Sequence, residues 1–419
     1  MRDSFKPISD FASIRRGASP RPIGDPLYFG GNVGWVKISD VTASKKFLNK
    51  TKLYLSKLGE SKSLRVDKGD LVMSICGTIG RPIIINMAAC IHDGFVQLYN
   101  FKNADIEYLY YVLQYSEKGL ERKGQPGTQV NLNTTIVGDY EIFAPPLPQQ
   151  KKIAQILSTC DAVLEQTEAA IAKYQALKQG MLHDLFTRGI DLITGQLRAT
   201  YEDAPELYKE TELGFVPREW ENKTFSENIE KNLYGPRFSG ADYDENGNVK
   251  TIRGMDFTKD GEIKYNQAPI ASLPNSKVAS HLLLTDDVVM VTTADCGLTA
   301  VFKEQNFQFI PSAYSVKLRF NENVNPYFIK YYMQTDSAKR QVNKYIRQGT
   351  LGNLPGSDIL GFILNLPAIE EQDIIVKKIE TLDQKINIEQ QTLAKYEQLK
   401  AGLMQDLLSG VVGVEGLVD

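Results

Sequence analysis

The sequence predicts an α+β protein in which two mixed α/β globules are separated by two long antiparallel coiled-coil helices, with the halves related as an internal pseudo-twofold repeat. Three observations lead to this prediction. One segment recurs further along the chain, both copies have the apolar spacing of a long helix, and the stretches outside them carry strand patterns. The length of 419 residues is about three times that of an ordinary domain, which also favours several folded units.

Residues 1–147 are predicted to form the first globule, because they combine short β-branched runs, turn signals and one amphipathic helix. The helix is DIEYLYYVLQY, in which Asp105 suits the N-cap position. The segment FGGNVG at Phe29 is glycine-rich, and we interpret it as a turn rather than a cofactor loop because no clear strand precedes it. The strand candidates are LVMSI at Leu71, RPIIIN at Arg81 and GFVQLYNF at Gly94.

Residues 148–188 are predicted to form the first long helix, because apolar residues recur with a 3.5-residue period and Pro148 stands just before the run. About 37 residues at roughly 1.5 Å each would make a rod on the order of 55 Å long. That length exceeds an ordinary globular helix. The predicted seam consists of Ile153, Leu157, Cys160, Leu164, Thr167, Ile171, Tyr174, Leu177, Met181 and Leu185.

An acidic connector over residues 189–210 leads to a second mixed α/β globule over residues 211–366, which opens with TELGFVPREW. Its helix is predicted at NPYFIKYYMQ, with Asn325 as the N-cap. The strand candidates are VVMVTT at Val288, LTAVFK at Leu298 and YSVKLRF at Tyr314. The second globule therefore repeats the strand and helix order of the first.

Residues 367–410 are predicted to form the second long helix, with a tail over 411–419. The segment starting at Pro145 aligns without a gap onto the segment starting at Pro367, an offset of 222 residues, and the same offset joins GTQVNL to GTLGNL. Exposing either apolar seam to water would be unfavourable, so we expect the two helices to pair with each other. The predicted second seam is Ile375, Ile379, Leu382, Ile386, Glu389, Leu393, Tyr396, Leu399, Leu403 and Leu407.

The composition argues against a membrane-spanning protein and against a disulfide-stabilised one. The apolar runs fall far short of the ~20 residues that span a bilayer, and the N-terminus lacks the layout of a secretion signal, so we expect a cytoplasmic protein. Four cysteines show neither CxxC spacing nor histidine neighbours arranged for zinc, which argues against structural disulfides and zinc.

The charge is distributed unevenly along the chain. The net charge is −3, but Lys and Arg outnumber Asp and Glu by 19 to 14 in residues 1–147, whereas they are outnumbered by 10 to 5 in residues 367–419. Basic residues of the first globule cluster in short segments, which favours a polyphosphate partner such as DNA. A solvated surface is the alternative interpretation for any single cluster.

The candidate DNA contacts are basic and polar residues in or near glycine-rich turns of both globules. Arginine can bind guanine through two hydrogen bonds, and glutamine can do so for adenine. In the first globule they are Arg15, Arg16, Ser19, Arg21, Lys45, Lys46, Lys52, Arg122, Lys123, Gln125, Thr128 and Gln129. In the second globule they are Tyr234, Arg237, Arg253, Lys344, Arg347, Gln348 and Thr350.

Motifs for catalysis are missing from the sequence. An adenine methyltransferase would contain Asn-Pro-Pro-aromatic, whereas the nearest string is APPL at Ala144, and no GxxxxGK[ST] phosphate loop occurs. The three histidines, His92, His183 and His281, are isolated in the sequence. We therefore expect neither an active site nor a metal site.

Several of these segments together resemble the specificity subunit of type I restriction-modification systems, over nearly the whole chain. The resemblance rests on the GTQVNL and GTLGNL turns, on PPLPQQKKIAQIL at the start of the first helix, and on the duplicated helices. It rests also on Gly214, Pro217 and Trp220, which match the family's Gly-x-x-Pro-x-x-Trp opening of the second recognition domain. The start of the second helix, PAIEEQDII, departs from the family's Pro-Leu-Pro-x-x-Gln run.

The resemblance implies two target recognition domains that each read one half of a split sequence in double-stranded DNA, with the paired helices as a spacer. It implies that the chain is not itself an enzyme and holds no cofactor. The implied partners are two methyltransferase (modification) subunits that use S-adenosylmethionine and restriction subunits that use ATP and Mg. Two alternatives stay open at this point, namely a coiled-coil adaptor that does not bind DNA and an autonomous methyltransferase or nuclease.

Overall fold

The computed structural model describes residues 4–124, 131–347 and 351–417. Contacts divide the chain into two compact units, unit 1 within residues 1–169 and 390–419 and unit 2 within residues 170–389. The division passes through both long helices, so each unit contains the first half of one helix and the second half of the other.

Unit 1 is built from two small sheets and a short strand pair, with helices against them. Its strands are β1 (Phe5–Pro7), β2 (Ser13–Arg16), β3 (Phe29–Val36), β4 (Phe47–Leu48), β5 (Leu53–Leu55), β6 (Leu64–Val66), β7 (Leu71–Ser74), β8 (Pro82–Ile85), β9 (Ala89–Ile91), β10 (Phe95–Tyr99) and β11 (Glu141–Phe143). Its helices are α1 (Ile38–Thr42), α2 (Lys57–Ser61), α3 (Ile106–Lys123), α4 (Thr134–Gly138) and the first part of α5 (Leu147–Thr187).

The strand order in unit 1 is β2-β10-β7-β8-β4 in one sheet and β5-β3-β9-β6 in the other. The three predicted strands are confirmed as β7, β8 and β10, and all of β7 and β8 is buried. Helix α3 is also confirmed, and its N-cap is Asp105, whose carboxylate accepts the Tyr108 N–H at 2.9 Å. Buried residues of β7, β8, β10 and α3 form a shared core with Ile153 and Leu157 of α5.

The prediction of a turn at FGGNVG is wrong, because this segment is the start of strand β3. Its glycines serve strand packing: an added Cβ at Gly31 would lie 2.0 Å from the Leu55 carbonyl oxygen of the neighbouring strand. The register of the β3–β5 pairing shifts between Phe29 and Val33, which is typical of a β-bulge. Glycine here permits close backbone approach within a sheet.

Unit 2 has a closely similar set of elements. Its strands are β12 (Tyr208–Thr211), β13 (Gly214–Pro217), β14 (Glu221–Thr224), β15 (Ile229–Tyr234), β16 (Val249–Ile252), β17 (Ile270–Ala271), β18 (Val288–Val291), β19 (Thr299–Val301), β20 (Phe309–Pro311), β21 (Ser315–Phe320) and β22 (Ile363–Leu366). Its helices are α6 (Phe225–Asn228), α7 (Asn275–His281), α8 (Pro326–Tyr332), α9 (Asp336–Tyr345), α10 (Gly356–Leu360) and the first part of α11 (Ile369–Leu408).

The repeat in the sequence corresponds to a repeat in topology. The order β15-β21-β18-β19 in unit 2 matches β2-β10-β7-β8 in unit 1. The order β17-β16-β20 matches β5-β3-β9, and in each case the second pair is parallel and the first antiparallel. Asn325 caps α8 as predicted, accepting the Tyr327 N–H at 2.8 Å. The two units are therefore variants of one fold.

The two long helices lie beside each other within each unit and are joined by equivalent polar contacts. In unit 1, Lys400 Nζ lies 2.5 Å from Asp161 Oδ1, and the Tyr111 hydroxyl donates to Asp161. In unit 2, Lys178 Nζ lies 2.6 Å from Asp383 Oδ1, and the Tyr331 hydroxyl donates to that carboxylate. Because the first half of one helix meets the second half of the other, the helices run antiparallel.

The apolar seams are buried unevenly. The residues nearest each globule, such as Ile153 and Ile375, are fully buried because they join the globular cores as well as the helix pair. Leu177 and Leu399, at equivalent positions of the repeat, are 51% and 56% exposed. A place in the predicted seam therefore does not by itself imply burial, since burial depends on what covers each stretch of helix.

The predicted connector carries a buried ion pair rather than acting only as a linker. Arg198 Nη1 lies 2.6 Å from Glu371 Oε1 of α11, and the side chains are 8% and 2% exposed. Glu371 also accepts the Ile190 N–H at 2.7 Å and the Trp220 indole N–H at 3.2 Å. One carboxylate thus fastens the connector and the GFVPREW segment to the second long helix.

Candidate nucleic-acid interface

In unit 1 the segment after β2 packs closely against the turn before β10. The Gly17 N–H donates to the Phe95 carbonyl at 2.9 Å, and the Ala18 N–H donates to the Ile91 carbonyl at 3.1 Å. An added Cβ at Gly17 would lie 2.1 Å from the His92 carbonyl oxygen, so only glycine fits without displacing backbone. This approach brings the predicted residues after Gly17 onto the turn that carries Asp93.

Three predicted site residues meet at Asp93. The Ser19 hydroxyl donates to Asp93 Oδ1 at 2.7 Å, and Arg21 Nη2 donates to Asp93 Oδ2 at 2.7 Å. Arg16 Nε donates to the Asp93 backbone carbonyl, also at 2.7 Å. Arg21 remains 65% exposed at its side chain in spite of the ion pair. We call Arg16, Ser19, Arg21 and Asp93 the unit 1 loop cluster.

The charges in this cluster are well defined at neutral pH. Burial tends to raise the pKa of Asp93, but the Ser19 hydrogen bond, the charges of Arg21 and Arg16 and, at acidic pH, the charge of protonated His92 outweigh it, so the pKa lies below its ordinary value of 3.8. Burial, with the nearby Lys37 ammonium, lowers the pKa of His92 below 6.5. Asp93 is therefore an anion and His92 neutral at neutral pH.

Arg15 is not part of the cluster, because neighbouring residues of a strand point to opposite faces of the sheet. Its Nε donates to Gln97 Oε1 at 2.7 Å, and its guanidinium lies 4.7 Å from the Tyr99 ring centroid. Gln97 in turn donates to Asp70 at 2.7 Å. These contacts make Arg15 part of the polar packing across the sheet.

The predicted lysines of unit 1 lie in two kinds of environment. The Lys46 side chain is 11% exposed, and its ammonium bonds Glu107 and Ser158, the latter at 2.8 Å, while Lys45 is paired with Glu168 of α5. These contacts favour a role in holding the loop to the helix over a contact with phosphate. Lys52 is exposed, as are Arg122 and Lys123 at the end of α3.

The glycine-rich turn after α3 is described only in part. Gln125, Thr128 and Gln129 lie outside the described residues. The chain is described again from residue 131, where the Leu132 N–H donates to the Ile75 carbonyl at 2.9 Å. This bond ties the end of GTQVNL to the end of β7.

Unit 2 has an equivalent loop cluster at the same end of its sheet. The Gly235 N–H donates to the Ser315 carbonyl at 3.2 Å, and an added Cβ at Gly235 would lie 2.0 Å from the Pro311 carbonyl oxygen. The Leu354 N–H donates to the Thr292 carbonyl at 2.8 Å, as Leu132 does to Ile75. The segments RRGASPRP, which starts at Arg15, and YGPRFSG, which starts at Tyr234, therefore occupy similar backbone positions in the two units.

The side chains of the unit 2 loop cluster differ from those of unit 1. Tyr234 is paired with Val316 as Arg16 is paired with Val96, and Tyr234 is 38% exposed with a pKa raised by burial. Arg237 is exposed, and its backbone carbonyl accepts a hydrogen bond from Lys277 at 3.0 Å. We call Tyr234 and Arg237 the unit 2 loop cluster.

The other predicted residues of unit 2 are only partly accounted for. Arg253 is half-buried and bonds the buried carboxylate of Asp256 through Nε and Nη2 at 3.1 and 3.0 Å, which favours a structural role. Lys344 and Arg347 are exposed, and Arg347 exchanges two backbone hydrogen bonds with Asn353 at 2.9 and 3.2 Å. Gln348 and Thr350 lie outside the described residues.

Asp93 is a functional candidate that the charge analysis missed. It stands in the short turn His92–Gly94, and nothing in the local sequence sets this acidic residue apart from other turn aspartates. Its role depends on contact with Arg21, which is 72 residues away in the chain. The signal that could have found it requires the strand pairing: it is an acidic turn residue two positions before the strand that pairs with the arginine-containing strand β2.

Three further properties of the described residues concern metal binding, thiol ionisation and membrane insertion. Across residues 4–124, 131–347 and 351–417, no group of three or more His, Cys, Asp or Glu side chains is placed to hold a metal ion. Burial raises the pKa of Cys76 and of Cys296, which disfavours their thiolate forms. None of the helices in this part of the chain has the length and hydrophobicity needed to span a bilayer.

Comparisons with known proteins agree with this architecture. The model of the family described as "Type I restriction modification DNA specificity domain" matches residues 4–173 and again residues 217–398. The type I restriction enzyme MjaVIII specificity subunit of Methanocaldococcus jannaschii is 24% identical over 366 residues, which cover 85% of this chain and 82% of that protein.

Two solved structures have the same fold at 15% sequence identity. One is the type I restriction-modification S subunit from M. genitalium, with a TM-score of 0.55 and coverage of 96% of this chain and 95% of that one. The other comes from work on complex assembly and conformational transition of the type I R-M system, with a TM-score of 0.59 and coverage of 96% of both chains. Because the family model matches both halves and most of its length, the chain belongs to the type I restriction-modification DNA specificity family.

Proposed function

We propose that this chain is the DNA sequence-recognition subunit of a type I restriction-modification complex and that each unit reads one half of a bipartite target in double-stranded DNA. The observation that carries the proposal is the pair of equivalent loop clusters, one in each unit, which differ in side chains. Each presents an exposed arginine, Arg21 in unit 1 and Arg237 in unit 2.

The chemistry of the loop clusters suits readout of base edges. A guanidinium can donate two hydrogen bonds to guanine, whereas exposed lysines provide attraction to phosphates without sequence preference. Arg122, Lys123, Lys344 and Arg347 are exposed near the ends of the helices that precede the glycine-rich turns. Since the two clusters differ in side chains, a single chain could read an asymmetric target, which a homodimer could not.

In this proposal the chain binds DNA and recruits other subunits, and it has no catalytic role. Methylation of adenine would be performed by two methyltransferase subunits with S-adenosylmethionine. Cleavage would be performed by restriction subunits with ATP and Mg. We place none of these cofactors in this chain. The support is the family to which the chain belongs and the lack of a catalytic motif in its sequence.

The experiment is selection of bound sequences from random double-stranded DNA by the chain in complex with its methyltransferase subunits, followed by methylation mapping in cells. A bipartite motif is expected. Arg21→Ala should relax one half of the motif and Arg237→Ala the other half. Binding without sequence preference, or relaxation of both halves or neither by these variants, would contradict the proposal.

A second experiment tests whether the paired helices set the gap between half-sites. Removing seven residues from equivalent places in α5 and α11 preserves the apolar period and shortens each helix by about 10 Å, roughly three base pairs of DNA. The tolerated gap should shorten with each half of the motif unchanged. A variant that removes seven residues from α5 alone should lose binding, because the seams no longer match; an unchanged gap would refute the spacer role.

A further inference from the structure

Arg21 is held at both its backbone and its side chain, although its guanidinium reaches solvent. Its carbonyl accepts the Tyr28 hydroxyl proton at 2.8 Å, and its Nη2 donates to Asp93 at 2.7 Å. The backbone before it is anchored at Gly17 and Ala18 to the strands and turn beyond. A long side chain normally samples many rotamers, so this arrangement lowers the entropy that Arg21 would lose on binding.

Asp93 is arranged to support an arginine rather than to accept hydrogen bonds from a ligand itself. Oδ1 accepts from Ser19 and Oδ2 accepts from Arg21, each at 2.7 Å, so both carboxylate oxygens are engaged by side chains of the same loop. Because the ion pair is largely exposed, with side chains 65% and 37% accessible, it contributes little to folding stability. Its effect is to fix the position of the Arg21 guanidinium.

A guanidinium carries five N–H donors, and Asp93 contacts it at Nη2, so donors remain for a base edge. Two parallel hydrogen bonds from arginine to guanine O6 and N7 are the commonest specific base contact in the major groove. Both bonds must be aligned together, which makes them sensitive to the orientation of the guanidinium plane.

In the described part of unit 2, no carboxylate occupies the position of Asp93. The residue that precedes β21 by two positions is Ala313, where unit 1 has Asp93 two positions before β10, and Tyr234 occupies the register position of Arg16. The two loop clusters therefore share a backbone but differ in how an arginine is held. This difference predicts that the two half-sites are read with different stringency.

We propose that Asp93 is a positioning residue for DNA recognition: it orients Arg21 to read a guanine in the half-site bound by unit 1. The inference rests on the proposed function, because it names the residue that sets specificity at one of its two readers. Asp93 touches no base in this scheme and acts through Arg21.

The test uses the full chain in complex with its methyltransferase subunits and selection from random double-stranded DNA. Asp93→Asn keeps the size of the side chain and the Arg16 contact, which is made to the backbone carbonyl. We expect discrimination for guanine at one position of the first half-site to fall by about 5- to 150-fold, the range that one bidentate contact provides. The second half-site should be unchanged.

Asp25→Asn is the matched control. Asp25 lies in the same loop, caps the Leu27 N–H at 3.0 Å, and an asparagine oxygen can keep that bond, so this variant removes the same charge without releasing Arg21. It should retain full discrimination in both half-sites. Equal loss in both variants would attribute the effect to charge and overturn the role of Asp93.

Two further outcomes separate this inference from the proposed function. If Asp93→Asn binds tighter with unchanged discrimination, Asp93 restrains Arg21 instead of positioning it, and the inference fails while the function stands. If Arg21→Lys loses the guanine preference but Asp93→Asn does not, Arg21 reads DNA without help from Asp93. If the unmodified complex selects no bipartite motif, the proposed function itself fails.

Discussion

Adding one methyl group at Gly17 should impair one unit of the protein and leave the other intact. The Cβ of Gly17→Ala would lie 2.1 Å from the His92 carbonyl oxygen, about 1 Å closer than real Cβ contacts. The colliding atom belongs to backbone, so no flexible side chain can move away. The segment carrying Ser19 and Arg21 must then separate from the turn carrying Asp93.

The magnitude follows from two opposing contributions. Overpacking costs about 1–3 kcal/mol, and a backbone collision belongs at the upper end of that range. Replacing glycine with alanine returns roughly 0.4–1 kcal/mol by restricting the unfolded chain. We therefore expect a loss of about 2 kcal/mol in the stability of unit 1, with reduced sequence discrimination in its half-site.

The chain provides matched control glycines, and unit 2 contains an equivalent glycine on which the same test can be made. Gly24 lies in the same loop with no atom near its added Cβ, so Gly24→Ala should be neutral or slightly stabilising. In unit 2, Gly235→Ala would collide with the Pro311 carbonyl oxygen at 2.0 Å, whereas the added Cβ of Gly240→Ala meets nothing. Gly235→Ala should impair only the second half-site.

Hydrogen exchange measured by mass spectrometry separates the two units, because peptides from β9–β10 and from β20–β21 report on each turn independently. Selection from random DNA then reports each half-site. The reasoning is refuted if Gly17→Ala exchanges and discriminates like Gly24→Ala. It is refuted equally if Gly17→Ala weakens the second half-site as much as the first.

Three other perturbations have defined outcomes. Glu371→Ala leaves the buried Arg198 with only the exposed Glu219 as an ion-pair partner and should cost roughly 3 kcal/mol in urea unfolding. Gln149→Ala, at the equivalent position of the first helix, should cost far less, and similar costs would contradict the assignment. Lys344→Gln should make the slope of log K against log[salt] less negative by about 1 without changing the selected motif. An unchanged slope would mean that Lys344 does not contact phosphate. Because the pKa of His92 is below 6.5 in the folded chain, the unfolded chain takes up the proton at a higher pH than the folded chain does. Unit 1 should therefore keep the full contribution of His92 to stability above pH 6.5 and lose it as the pH falls toward the lowered pKa. Denaturant midpoints that stay constant from pH 7 to pH 5 would contradict this.

Much of the fold could be predicted because its signals are local or periodic. The strands β7, β8 and β10 are short segments rich in apolar residues. The caps at Asp105 and Asn325 depend on adjacent residues, and the long helices on a spacing of 3.5 residues. The prediction of a turn at FGGNVG was wrong because glycine at Gly31 is required by the close approach of strand β5, a contact that cannot be read from the segment itself.

The candidate site was predicted less completely, because equal charges in the sequence have unequal surroundings. Lys46 and Arg253 look like free cations in the sequence, but they bond Glu107 and Asp256 respectively. Arg21 stays exposed, and its partner Asp93 carries no local signal. Whether a basic side chain is available to DNA depends on which carboxylate the fold brings beside it.

The amino-acid order alone determined that this protein is duplicated, that its halves share one pattern of strands and helices, and that two long amphipathic helices accompany them. These properties reside in spacing between neighbours and in similarity between segments, which require no knowledge of contacts. Tertiary structure alone decided which cations are free, which aspartate orients Arg21, and why Gly17 and Gly235 must lack a side chain. The physical reason is that each of these depends on atoms brought within about 3 Å from parts of the chain that are far apart in sequence.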